Sequence, residues 1–229
     1  MVLVVPGVVV AETEPFSTAL TPSQLTIQWQ LTESCNLRCR HCYRNNEQSG
    51  NAVSGFDSTA YFTDDLRLEA VVQQCLSLRA LFVQRLHKQV PLQINLSGGE
   101  PFLHPRIGQV LDRLAALRDG HPPEGPVRFT VLTNGTLLGS PELSLLVKAR
   151  PRFVQLSLDG TRATHDAIRG TGNYKVILKT MRRLTRAGLP LCVSFTAHSD
   201  NYFDLPAVEK AARRHGASWG GLVKTNSWC

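Results

Sequence analysis

Leu25-Thr26-Ile27-Gln28-Trp29-Gln30-Leu31-Thr32 alternates apolar and polar residues strictly, and just beyond it the chain runs Cys35-Asn36-Leu37-Arg38-Cys39-Arg40-His41-Cys42-Tyr43. Successive side chains of a strand point to opposite faces, so the first run predicts a strand with one apolar and one polar face. The second run has the spacing Cys-x3-Cys-x2-Cys. Three thiolates can hold three corners of a four-iron cubane and leave the fourth iron open to a small chelating molecule. A structural zinc ion wants four ligands in a tetrahedron, and no further Cys-x2-Cys or His-x3-His pair supplies the fourth. A disulfide framework suits short secreted chains rather than one of 229 residues with six cysteines. The expected metal ligands are therefore Cys35, Cys39 and Cys42.

Outward from this point, short alternating runs take turns with helical patterns, the signature of successive βα units around a parallel sheet. Strands are expected near residues 25–32, 92–97, 127–133, 153–158, 191–197 and 219–224, with five helices between them. Ile107, Val110, Leu111, Leu114 and Leu117 recur with helical period. Ser140 with Pro141 reads as a helix start, and Gly188 and Gly216 stand where helices end. A sealed parallel barrel would be lined by Val, Ile and Leu. Here instead Thr26, Gln28 and Gln30, then Gln93, Asn95 and Ser97, then Gln155, Ser157 and Asp159, then Cys192, Ser194 and Thr196 occupy the second face. The amphipathic helices need the apolar face, which leaves the polar face to line a wet interior. The expected fold is α/β, a partial (β/α)6-type TIM barrel with parallel strands, open and polar-lined, with its last helix missing. Its ligands should collect at the carboxyl ends of the strands.

The composition, 42% hydrophobic and 19% charged, supports a core around residues 25–216. Residues 1–24 read as a leader or an extra strand: the apolar run 1–11 is too short to span a bilayer and has no basic segment ahead of it. Residues 217–229 read as an atypical or truncated tail. The net charge of +7 is spread over helical arginines rather than gathered in a block, which favours acidic partners generally and gives no specific sign of nucleic acid. Reduced thiolates predict a cytoplasmic setting with no membrane partner. Cys75 shares a helical face with Leu68 and Val72 and reads as a small buried hydrophobe, Cys192 points by parity into the polar interior, and Cys229 is unplaced.

Beyond the cysteines, Gly98-Gly99-Glu100-Pro101, Thr133-Asn134-Gly135-Thr136, Ser157-Leu158-Asp159-Gly160 and His165-Asp166-Ala167-Ile168-Arg169-Gly170 follow the second, third and fourth expected strands. With these in place the chain resembles radical S-adenosylmethionine (radical SAM) enzymes, of the branch that includes peptide-modifying maturases, over about residues 25–196. The resemblance implies a 4Fe-4S cluster and S-adenosylmethionine as cofactors. It further implies reductive cleavage to methionine and a 5'-deoxyadenosyl radical, which takes a hydrogen atom from substrate.

The same resemblance implies the roles of single residues. Gly98 and Gly99 would let the backbone approach the cofactor closely, and Glu100 would receive its methionine ammonium. Ser157 and Arg169 would hold the methionine carboxylate, His41 and Tyr43 would help seat the adenine, and Asn134, with Thr133 and Asp159, would stand at the same mouth. A peptide substrate and an electron donor such as flavodoxin or ferredoxin are the implied partners. A nucleotide, RNA or tetrapyrrole is the alternative substrate, and a non-catalytic cluster-binding fragment is the alternative from another class. Related maturases continue well past the sixth strand, and this chain is expected to be truncated relative to them.

Overall fold

The computed structural model describes residues 2–5, 8–11, 24–42, 65–120 and 123–224, so Tyr43 and Cys229 lie outside the described residues. The described chain forms two compact units, one drawn from residues 1–34, 57–131 and 148–152 and the other from 35–56, 132–147 and 153–229.

In the first unit, β1 (Val2–Val5) and β2 (Val8–Ala11) pair antiparallel, and β2 pairs antiparallel with β3 (Leu25–Gln30). From β3 the sheet turns parallel: β3 pairs with β4 (Leu92–Ser97), and β4 pairs with β5 (Val127–Thr133). The helices that make this parallel arrangement possible are α1 (Asp65–Leu86) and α2 (Ile107–Asp119). Each buries an apolar stripe: Leu68, Val72 and Cys75 on α1, and Ile107, Val110, Leu111 and Leu114 on α2. Burial pushes the Cys75 thiol up to about 12, which makes it a packing residue and a poor nucleophile.

The strand alternation appears directly in the burial. Leu25, Ile27 and Trp29 are buried while Thr26 is exposed and Gln28 and Gln30 are half-buried. On the polar face the side chains bond laterally: Gln28 Nε2 donates to Ser97 Oγ (3.1 Å), while Gln93 Nε2 (3.1 Å) and Thr130 Oγ1 (2.7 Å) donate to Asn95 Oδ1. This keeps polar groups satisfied on a sheet whose other face carries the core.

The second unit holds α3 (Ser140–Ala149) up to Val147, β6 (Val154–Ser157), α4 (Arg162–Arg169), α5 (Asn173–Arg186), β7 (Leu191–Ala197), α6 (Leu205–Arg214) and β8 (Ser218–Lys224). β6, β7 and β8 pair parallel in that order. Among the described residues there are six α-helices where the sequence suggested five. The fourth crossover is divided into α4 and α5 because Gly170 (φ 107°) and Gly172 (φ 87°) take conformations that break a right-handed helix. Ser140 is the first helical residue rather than the residue before it, a shift of one position. Gly188 (φ 71°) and Gly216 (φ 69°) do close α5 and α6, where Leu189 N–H reaches Leu184 O and Ala217 N–H reaches Ala212 O. No described helix is long and apolar enough to cross a membrane.

Candidate functional site

The expected site residues fall into both units. In the first unit, Gly98-Gly99-Glu100 leaves the end of β4 and folds onto the segment that leads toward the cysteines. Gly99 N–H donates to Thr32 O (2.7 Å) and Glu100 N–H to Ser34 O (2.8 Å). The glycines are needed for this approach. A Cβ on Gly98, whose φ is 133°, would lie 2.4 Å from Thr32 O, and one on Gly99 would lie 2.2 Å from Ser34 O and 2.6 Å from Glu33 O. All of these are backbone atoms, which no rotamer change can move aside. Gly99→Ala is therefore expected to cost ~2–3 kcal/mol of stability, read as a lowered denaturant midpoint; a midpoint equal to the wild type would show that the strand-end turn is not rigid. Glu100 is fully buried, and its Oε1 accepts from Phe102 N–H (3.3 Å), capping the short 3-10 turn Pro101–Leu103.

In the second unit the cysteine loop is tied down from two sides. Asn134 Oδ1 accepts from Thr136 N–H (2.9 Å), fixing the turn after β5. Its Nδ2 donates to Asn36 Oδ1 (2.9 Å) and to Cys35 Sγ (3.9 Å), and Asn36 Nδ2 donates to Thr136 Oγ1 (2.8 Å). Gly135 (φ 73°) leaves room for Leu156 and Ile177, which a Cβ would meet at 2.6 and 3.0 Å. From the other side, Arg40 N–H donates to Ile168 O (2.9 Å), and Cys42 N–H closes a turn on Cys39 O (3.0 Å).

Asp159 organises this second side. It is fully buried. Oδ2 accepts from Arg169 Nε in a short ion pair and bonds His41 Nε2 at 2.8 Å, while Oδ1 accepts from Thr196 N–H (2.8 Å). Burial works to raise its pKa, but the Arg169 charge, the His41 bond and the Thr196 N–H outweigh it and hold the carboxyl well below the usual carboxylate range. Arg169 in turn directs Nη1 at Cys39 Sγ (3.9 Å). With Nε on Asp159 and Nη1 on the sulfur, Arg169 does not present an unengaged two-pronged fork.

Asn201, 1% exposed, locks the loop after β7 to the same centre, donating through Nδ2 to Asp159 O (3.1 Å) and Thr196 O (2.8 Å). His165 Nδ1 accepts from Asp159 N–H (3.1 Å). The sequence reading gave Asp159 a secondary place and missed His165 and Asn201 as supports. Asp159 sits at a strand end, a detectable signal, whereas nothing local marks Asn201.

His165 is lowered to about 4, first by burial and then by the Arg169 charge, against the opposite pull of Asp159 and Asp166. An unfolded histidine titrates near 6.5, so between that pH and about 4 the unfolded chain binds more protons than the folded one. The His165 contribution, up to ~3 kcal/mol, should be lost as the pH falls through this window and stay constant below it, and His165→Gln should remove that part of the slope. Denaturation midpoints at closely spaced pH values measure this; equal slopes in both proteins would count against it.

The remaining expected residues are placed as follows. Cys35 is exposed, Cys39 buried and Cys42 half-buried, and all three are free thiols. Burial raises the Cys39 pKa, and the Arg169 charge opposes that rise. Ser157 is half-buried at the end of β6, in register with Ser194. The second unit thus brings together Cys35, Cys39, Cys42, His41, Asn134 and Arg169, and the first unit gathers Gly98, Gly99 and Glu100. Among the described residues no three His, Cys, Asp or Glu side chains surround a point that one metal ion could fill. The donor set suits a cubane instead, since three free thiols lie on one loop, each able to hold its own iron, and N–H groups are aimed at two of the sulfurs.

Mycofactocin maturase MftC of Mycobacterium tuberculosis is 29% identical over 197 residues, covering 85% of this chain and 43% of the relative. Pre-heme d1 synthase of Dinoroseobacter shibae is 31% identical over 198 residues, covering 86% of this chain and 42% of the relative. The chain thus spans less than half the length of these curated relatives. The solved structure of anSMEcpe with bound AdoMet and Kp18Cys peptide superposes with a TM-score of 0.65 at 18% identity, covering 89% of this chain and 51% of that one. That likeness shows the shared fold, a partial α/β barrel of parallel strands whose sheet is not closed. Residues 29–201 match the model described as the Radical SAM superfamily, whose enzymes use a 4Fe-4S cluster and S-adenosylmethionine. This match extends over most of the 229 residues and carries every cysteine, glycine and strand-end motif of the site, and the chain therefore belongs to the radical SAM superfamily.

Proposed function

We propose that this chain is the radical-generating part of an enzyme that modifies a peptide, and that Cys35, Cys39 and Cys42 hold its 4Fe-4S cluster. The observation that carries the reading is the cysteine loop itself: three free thiols on one segment, fixed by Asn134 on one side and by Asp159 through Arg169 and His41 on the other. When bound, the cluster supplies one electron and S-adenosylmethionine supplies the hydrogen-abstracting group.

The chain's own residues bind and orient. Gly98 and Gly99 offer a backbone surface without side chains, and Glu100 receives the methionine ammonium. Ser157 and Arg169 take the methionine carboxylate, Arg169 through Nη2, since its Nε and Nη1 are engaged. His41, held by Asp159, and Tyr43 seat the adenine, and Asn134 closes the mouth. No acid-base pair is required of the protein for the hydrogen abstraction itself.

A maturase among the relatives and a bound peptide in a structural neighbour support a peptide substrate. A small electron carrier such as flavodoxin or ferredoxin and a cytoplasmic setting complete the reading. The 31% identity to pre-heme d1 synthase favours a tetrapyrrole as the second reading. Anaerobic reconstitution with iron and sulfide, followed by reductant and S-adenosylmethionine, tests the activity. Release of 5'-deoxyadenosine is expected, and loading of iron without that product would leave a cluster-binding fragment. Optical titration with a tetrapyrrole separates the two substrates, because tight binding with a shifted absorption band would overturn the peptide reading.

A further inference from the structure

Three N–H groups point at the sulfurs of two cysteines. Leu37 N–H (3.5 Å) and Asn134 Nδ2 (3.9 Å) donate to Cys35 Sγ, and Arg169 Nη1 (3.9 Å) donates to Cys39 Sγ. The side-chain donors are held by other bonds. Asn134 is fixed by Asn36 and Thr136, and Arg169 by the buried Asp159. The Arg169 side chain is only 11% exposed, so water screens its charge poorly.

We propose that Arg169 and Asn134 set the reduction potential of the cluster by donating hydrogen bonds to the sulfurs of Cys39 and Cys35. The inference rests on the reading of these cysteines as cluster ligands, and it assigns Arg169 a role separate from holding a cofactor carboxylate. When the oxidised cluster takes up one electron from a reductant, no bond is made or broken, and the added negative charge spreads over irons and sulfurs. N–H donors and a nearby guanidinium stabilise that extra charge, and they therefore raise the potential. Asp159 acts as the positioning residue. By taking Nε it turns the guanidinium so that Nη1 meets the sulfur, and Thr196 N–H and His41 keep the carboxylate itself in place. Leu37 contributes the same kind of bond from the backbone, where substitution does not remove it.

The test is an anaerobic redox titration of the reconstituted full chain, followed by electron paramagnetic resonance and made without S-adenosylmethionine, so that cofactor binding plays no part. Arg169→Gln and Asn134→Ala are each expected to lower the one-electron reduction equilibrium about tenfold, ~59 mV. Arg169→Lys, which keeps the charge and loses the rigid fork, should fall between Arg169→Gln and the wild type. Arg186→Gln, the same charge loss at an exposed position of α5, should match the wild type. Wild-type potentials in Arg169→Gln and Asn134→Ala, with iron and sulfide at full content, would overturn the inference while leaving the cluster reading intact. If Arg169→Gln does not load, Asn134→Ala decides alone. Failure of the wild-type chain to load iron would remove the cluster reading, and this inference with it.

Discussion

Cys39→Ala is expected to abolish retention of iron and sulfide while leaving a folded chain. Cys39 is the buried member of the three and the one toward which Arg169 is turned. Alanine is smaller, so the substitution introduces no clash and removes only one sulfur from a loop that is otherwise held by backbone bonds from Arg40 and Cys42. A cubane with two protein thiolates is exposed to solvent at two irons and is lost on gel filtration. Cys75→Ala is the comparison. Cys75 is also buried, but its thiol sits on the apolar stripe of α1, so that variant should lose some stability and keep its full iron content. Iron and sulfide analysis of the anaerobically reconstituted proteins measures both. Full iron in Cys39→Ala would remove this cysteine from the ligand set.

Asp159→Ala is expected to destabilise the chain by ~3–5 kcal/mol, the usual cost of stranding a buried partner charge. Asp159 is wholly inaccessible, and the Arg169 guanidinium beside it is nearly so. Removing the carboxylate leaves that cation unpaired, frees His41 and orphans Thr196 N–H. A double variant, Asp159→Ala with Arg169→Met, should recover part of the loss because neither charge remains, and the recovered fraction is their coupling. The acid limb gives an independent check. A carboxyl held below its usual range contributes stability that is fully present above about pH 4, its unfolded value, and is lost as the pH falls toward the folded value. The wild type should show this loss and Asp159→Ala should not. Urea midpoints across the acid range read both, and a loss below about 1 kcal/mol would mean that the loop is held elsewhere.

Much of this architecture was legible in the residue pattern. The alternation at Leu25, Ile27 and Trp29 against Thr26, Gln28 and Gln30 marks a strand because its side-chain period is two, and the structure buries the first set. Helical periodicity placed Ile107, Val110, Leu111 and Leu114 on the buried face of α2 for the same kind of reason. The division of the fourth crossover was harder to read, since Gly170 and Gly172 break a helix only through their positive φ, which neighbouring residues do not announce. Asn201 and His165 escaped for a different reason. Asn201 bonds Asp159 O and Thr196 O from a loop, where a single polar residue carries no periodic signal, whereas His165 stands within a motif on α4 and only its bond to Asp159 N–H was hidden.

Sequence alone determined the six parallel strands, the helical crossovers between them, the Cys-x3-Cys-x2-Cys spacing and the glycines at the strand ends, because all of these depend on local period and on the conformations each residue type permits. Only the tertiary structure decided that Asp159 would take Arg169 and His41 together, and that Arg169 would turn one nitrogen toward Cys39. A buried carboxylate chooses its partners by what folding brings within hydrogen-bond distance once water is excluded, and that choice is made in space rather than along the chain.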